Sequence, residues 1–238
     1  MNTIENKTVA EVVAENIKTA HVFKKHGIDF CCGGGITIEK ACEKKQLDYN
    51  TIKSELLDVD KVPKAYDYNS WKLDFLIDHI VNIHHTYVQE SIPLILQYSN
   101  RVAQVHGHHY TEVVEINKLF IEVANELNDH LKKEETILFP YIKQLLQFKK
   151  EEKGYLQPPF GSVNNPISVM EHEHESAGDI FKTIAQLTNN YTPPEGACNT
   201  FRALYAKLEE FEQDLHQHIH LENNILHPKA IQLEHSFQ

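Results

Sequence analysis

No apolar run in this 238-residue chain approaches the ~18 residues that a membrane-spanning helix needs. The first residues, MNTIENKTVAEVV, lack the basic flank and apolar core of a secretory signal. Cysteine is scarce: only Cys31, Cys32, Cys42 and Cys198 occur. Four thiols, two of them adjacent, do not form the framework of a secreted disulfide protein, so a reducing cytoplasm is expected. Positive charge is also in deficit. Lys and Arg total 23 against 34 Asp and Glu, giving a net charge of −11. That balance argues against nucleic acid or an anionic membrane as the main partner. Finally, nothing alternates with period two for long enough to suggest a strand.

What is abundant is histidine, with sixteen residues. Two of them begin a repeated motif. His130 and Glu134 in HLKKEETILFP, and His218 and Glu222 in HIHLENNILHP, are each spaced i, i+4. On a helix that spacing puts both side chains on one face, one turn apart. An imidazole and a carboxylate aimed at one point form half of a transition-metal site.

The chain divides near residues 59–69, DVDKVPKAYDY, which read as a linker. Before it, residues 1–62 suggest a small module of short helices. Thr8 can cap the first, with Glu11 as its capping-box partner. Gly27 can stop a helix ending near His26, and Thr37 can cap IEKACEKK after the turn DFCCGGG. After the linker, four long helical patterns cover roughly 70–105, 110–149, 166–190 and 197–224. The expectation is an all-α chain, with an up-down four-helix bundle at 70–232.

Periodicity selects which histidines face the core. Steps of three and four run through Phe120, Leu127, His130, Glu134 and Tyr141 in the second long helix. They run through Met170, His174, Ala177 and Phe181 in the third, and through Leu215, His218, Glu222 and Ile225 in the fourth. In the first, Val81, His85, Val88 and Ile92 fit, but Ile77, Ile80, His84 and Tyr87 make a competing stripe. His172, His216 and His220 fall out of phase, facing solvent or flanking the site. His106, His108 and His109 lie in an interhelix turn. Burying one carboxylate unpaired costs several kcal/mol or neutralises it. Two carboxylates and four imidazoles converging at one depth therefore imply a pair of cations. No thiolate lies in phase, which argues against a Cys-rich structural zinc site.

At these residues the chain resembles the haemerythrin-like iron–sulfur cluster repair proteins, the RIC family. DFCCGGG with the AC at 41–42, the first His of the bundle before Pro93, HLKKEETILFP, EHEHESAG and HIHLENNILHP together carry the resemblance over nearly the whole chain. It implies a haemerythrin-like bundle behind a ScdA-type N-terminal domain. It implies two iron ions, oxo-bridged, held by His85, His130, Glu134, His174, His218 and Glu222, with Glu134 and Glu222 bridging, and so favours His85 over His84. The implied role is repair of clusters damaged by nitrosative or oxidative stress, through iron donation, nitric oxide reduction or both. The implied protein is a cytoplasmic homodimer whose partners are damaged iron–sulfur proteins and small ligands such as nitric oxide or oxygen. The alternative is a non-catalytic carrier or sensor of oxygen, nitric oxide or iron; the CCGGG module favours repair. Cys31 and Cys32 are candidates for a redox role. Gly33–Gly35 would leave them sterically open, and a nearby helix N-terminus would lower their pKa. Cys198 reads as structural, and Glu173, next to His174, as a solvated surface carboxylate, the alternative being a place on an iron exit path.

Overall fold

A computed structural model describes residue 4 and residues 6–59, 67–152 and 155–237. Most of the expected linker, residues 60–66, lies outside the described residues. Among those described there is no strand, only an isolated bridge between Thr8 and Thr37. Among the described residues no helix is long and apolar enough to cross a membrane. The chain forms two compact units, Met1–Ile77 with His216–Gln238, and Asp78–Leu215.

In the first unit, α1 (Val9–Glu15) starts at Thr8 with both capping-box bonds in place. The Glu11 N–H donates to Thr8 Oγ1 at 3.1 Å, and the Thr8 N–H donates to Glu11 Oε2 at 2.7 Å. The next two N–H groups of the helix satisfy loop carbonyls: Val9 donates to Ile36 at 3.0 Å and Ala10 to Gly34 at 2.8 Å. Helix α2 (Ala20–Lys25) ends before Gly27, whose φ of +65° is the left-handed conformation glycine adopts without cost. Helix α3 (Ile38–Lys45) is capped by Thr37, and α4 (Tyr49–Val59) follows. Val13, Phe23, Ile38, Cys42 and Ile52 form the buried centre of these short helices. Helix α5 (Leu73–His79) closes this stretch of chain.

The second unit contains α6 (Thr86–His106), α7 (Glu112–Lys133), α8 (Phe139–Lys150), α9 (Asn164–Leu187) and α10 (Asn199–Leu221) as far as Leu215. The last residues of α10 and α11 (His227–His235) belong to the first unit. Helix α7 packs against α6 and α9. Phe211 on α10 stacks on Phe181 of α9 at 5.5 Å and meets Phe120 of α7 edge-on at 5.7 Å. These rings fill the bundle where the apolar stripes meet.

Three helices are interrupted by π turns, at Ile80–His85, Glu134–Leu138 and Glu222–Leu226. In each, an N–H reaches back five residues: Thr86 to Val81, Phe139 to Glu134 and His227 to Glu222. The tails ILFP and ILHP explain two of them. Pro140 and Pro228 have no N–H to give, and each ring crowds the carbonyl four residues earlier. The α ladder cannot run through, and the wider turn absorbs the misfit. Single π turns of this kind concentrate at functional sites.

Candidate metal centre

In the second unit, His85, His130, Glu134 and His174 are all buried, and Glu134 is fully enclosed. His85 closes one π turn, and Glu134 opens the next. Both imidazoles turn Nε2 toward the same carboxylate oxygen, Glu134 Oε2, at 3.3 Å from His85 and 3.4 Å from His130. His174 Nε2 lies 3.0 Å from His130 Nε2. Ligand atoms of His130, Glu134 and His174 all fall within 4.8 Å of one another.

The outer nitrogens explain this orientation. His85 Nδ1–H donates to Glu135 Oε1 at 2.8 Å, and His130 Nδ1–H donates to Glu173 Oε2 at 2.9 Å. An ionised carboxylate only accepts, so the proton sits on Nδ1 and the lone pair of each neutral ring is on Nε2. Histidines that bind metals are held in just this way, with the second nitrogen committed to a carboxylate. Lys133 Nζ also donates to Glu173. Burial alone would raise the Glu173 carboxyl, but the bonds from Lys133 and His130 outweigh it and hold it below its ordinary value. Glu173 is therefore a half-buried orienting group rather than the solvated surface carboxylate expected from sequence. His84, the competing stripe residue, is equally buried but donates Nδ1–H to Asp214 at 2.9 Å.

In the first unit, His218 Nε2 and Glu222 Oε1 lie 3.1 Å apart, both buried, with Glu222 opening the third π turn. Nitrogen and carboxylate donors with carboxylate-held tautomers fit a transition-metal cation.

Cys31 and Cys32 are free thiols in the first unit, as are Cys42 there and Cys198 in the second. The expected activation of Cys31 does not hold. Its Sγ–H donates to Asp29 Oδ1 at 3.2 Å, and the chain buries it. The neighbouring Cys32 thiol, burial and the Asp29 charge all raise its pKa well above the ordinary thiol value. Nor do the glycines mainly open the turn. A Cβ on Gly34 would sit 2.5 Å from the Phe30 carbonyl oxygen, so glycine is needed there for close packing.

Sequence phase also missed a second face of the last metal-motif helix. His216 is half-buried and His220 does not face solvent. Their rings meet Phe30 edge-on at 5.7 and 6.1 Å, and His220 is fully buried. Burial pushes the His220 imidazole down to about 4, only partly offset by the polar Phe30 backbone. One turn further, Asn224 Nδ2 donates to His220 Nδ1 at 3.0 Å and to the Cys31 carbonyl at 3.3 Å. The i, i+4, i+8 spacing of 216, 220 and 224 was the available signal.

The fold and these groups define a helical bundle of the cation-binding haemerythrin type. Residues 76–230 match the family described as "Hemerythrin HHE cation binding domain", and residues 5–60 match ScdA_N, described as a "Domain of Unknown function (DUF542)". The chain is 36% identical over 226 residues to the iron-sulfur cluster repair protein YtfE of Escherichia coli O81 (strain ED1a). It is 35% identical over 226 residues to the protein of the same name from Escherichia fergusonii. Each alignment covers 95% of this chain and 97% of the relative. The chain belongs to this family of haemerythrin-like iron–sulfur cluster repair proteins.

Proposed function

We propose that this protein repairs iron–sulfur clusters damaged by nitrosative or oxidative stress. His85, His130, Glu134, His174, His218 and Glu222 would hold two iron ions for this purpose. The observation that carries this reading is the pair of imidazoles, His85 and His130, whose Nε2 atoms both face Glu134 while Glu135 and Glu173 hold their Nδ1 protons. When bound, iron supplies a redox-active centre able to take small ligands such as nitric oxide. The protein's part is to fix donor orientation and to exclude water, since His85, His130, Glu134 and His174 are each at most 2% exposed. Iron leaving the protein as cargo for a damaged cluster and nitric oxide reduction at the centre draw on the same donors. Four free cysteines fit a reducing cytoplasm. The protein acts there as a homodimer on damaged iron–sulfur proteins.

The test is reactivation of a cluster enzyme inactivated by nitric oxide. Iron-loaded wild-type protein restores its activity, and His130→Ala does not. Equal restoration by the variant overturns the reading. Anaerobic nitric oxide addition to the reduced protein then separates the two routes, because only reduction releases nitrous oxide.

A further inference from the structure

The CCGGG turn is tied down at two points within the first unit. Its Gly34 carbonyl accepts from the Ala10 N–H, and its Cys31 carbonyl accepts from Asn224 Nδ2. Asn224 lies inside the π turn that opens at Glu222, where it also donates to the buried His220 ring. His216, His220 and Asn224, one turn apart, thus make a stripe that covers Phe30 and Cys31. His218 and Glu222 occupy the neighbouring face of the same helical stretch and are bonded to each other.

We propose that Asn224 is a positioning residue, a latch that couples opening of the double-cysteine turn to the metal state of Glu222. The proposal rests on the metal-binding reading above. Cys31 is only 7% exposed, so a reagent reaches its sulfur only when the turn lifts off the stripe. Lifting breaks the Asn224 bond and frees the π turn. A cation on Glu222 holds that turn and so opposes lifting. By linkage, a closed turn tightens cation binding by the same factor that the cation favours the closed turn.

The four cysteines report on this in one experiment. The protein is treated with iodoacetamide at fixed pH, metal-free and loaded anaerobically with ferrous iron, and each thiol is followed by peptide mass spectrometry. In the metal-free protein, Asn224→Ala speeds Cys31 alkylation about fivefold, the change that one neutral hydrogen bond makes in an opening equilibrium. Asn224→Gln, which keeps an amide donor, restores part of the protection. Buried Cys42 and exposed Cys198 keep their wild-type rates. Iron loading slows Cys31 in the wild type and has a smaller effect in Asn224→Ala, which also gives up iron faster to a chelator. An unchanged Cys31 rate in metal-free Asn224→Ala overturns the latch, as does a parallel rise at Cys42, which signals general loosening. Iron that binds, by metal analysis, without slowing Cys31 overturns the coupling. If the wild type takes up no iron, the metal-binding reading fails on its own, and the metal-free comparison still decides the latch.

Discussion

His130 on α7 donates its Nδ1–H to Glu173 on α9, 2.9 Å away, and this bond joins two helices of the bundle at the point where a proposed metal ligand is aimed. The carboxylate is itself held by Lys133, one turn along α7 from the histidine's own neighbourhood. Removing it leaves the ligand in place but loosens its ring. Glu173→Ala is expected to weaken metal binding about 10- to 100-fold, the usual effect of losing such an outer partner. Glu173→Gln, which still offers an oxygen, falls between the two. Competition with a chelator measures this, and an unaltered affinity in the alanine variant removes Glu173 from the site.

Metal should also hold the fold together. Donors that meet only in the folded chain make binding and stability one equilibrium. Free metal at ~100 times its dissociation constant adds about 2.7 kcal/mol. Thermal melts with and without a chelator should therefore differ in wild type. His130→Ala should show little difference between the two conditions.

Gly34 is held by packing. An added methyl would meet the Phe30 carbonyl at 2.5 Å and the Ala10 side chain at 3.0 Å, so the turn must shift. Gly34→Ala is expected to cost about 1–3 kcal/mol, the range for forcing a methyl into packed space. At Gly35 a methyl meets nothing within 4 Å, so Gly35→Ala is the control and stays near wild type. Urea unfolding of the two variants makes the comparison.

The phenol of Tyr205 supplies a pH dependence. Burial, with the Glu112 charge adding to it, pushes its pKa from 10 up to about 12. The raised value means that the folded state favours the neutral phenol. Its contribution is complete below pH ~10, the unfolded value, and drains away as pH rises toward 12. Tyr205→Phe cannot ionise, so its stability should fall less steeply over that window in denaturant titrations.

Much of this was legible in the chain. Apolar stripes with steps of three and four locate the helices, because burial of one face dictates residue type along it. The capping box at Thr8 and Glu11 was equally plain, since four atoms within four residues decide it. What escaped had its cause outside the helix concerned. His216 and His220 look polar and out of phase, and only a segment almost two hundred residues earlier, at Phe30, accounts for the half-burial of the first and the full burial of the second. Glu173 looked like any surface acid, and only the imidazole of another helix gives it a task. A helix N-terminus near Cys31 predicts an activated thiol, yet Cys32, burial and Asp29 turn the effect round. His84 and His85 share similar burial, and phase could not rank them. Each gives its Nδ1–H to a carboxylate, Asp214 for His84 and Glu135 for His85, and the difference is that His85 turns Nε2 toward Glu134 at 3.3 Å.

The π turn at Glu134–Leu138 has a consequence for how this gene can change. Such a turn is a helix carrying one residue too many, and each residue advances a helix by about 100°. Deleting one residue between Thr136 and Leu138 would remove that surplus, while Pro140 would still bar the α ladder from running through. Downstream, Tyr141, Ile142 and Leu145 would keep their buried faces, because the wider turn already absorbs the surplus residue. The loss would be local: Glu134 and Glu135 stand at the head of the turn, facing His85 and His130, so the length of the turn and these two side chains are guarded together.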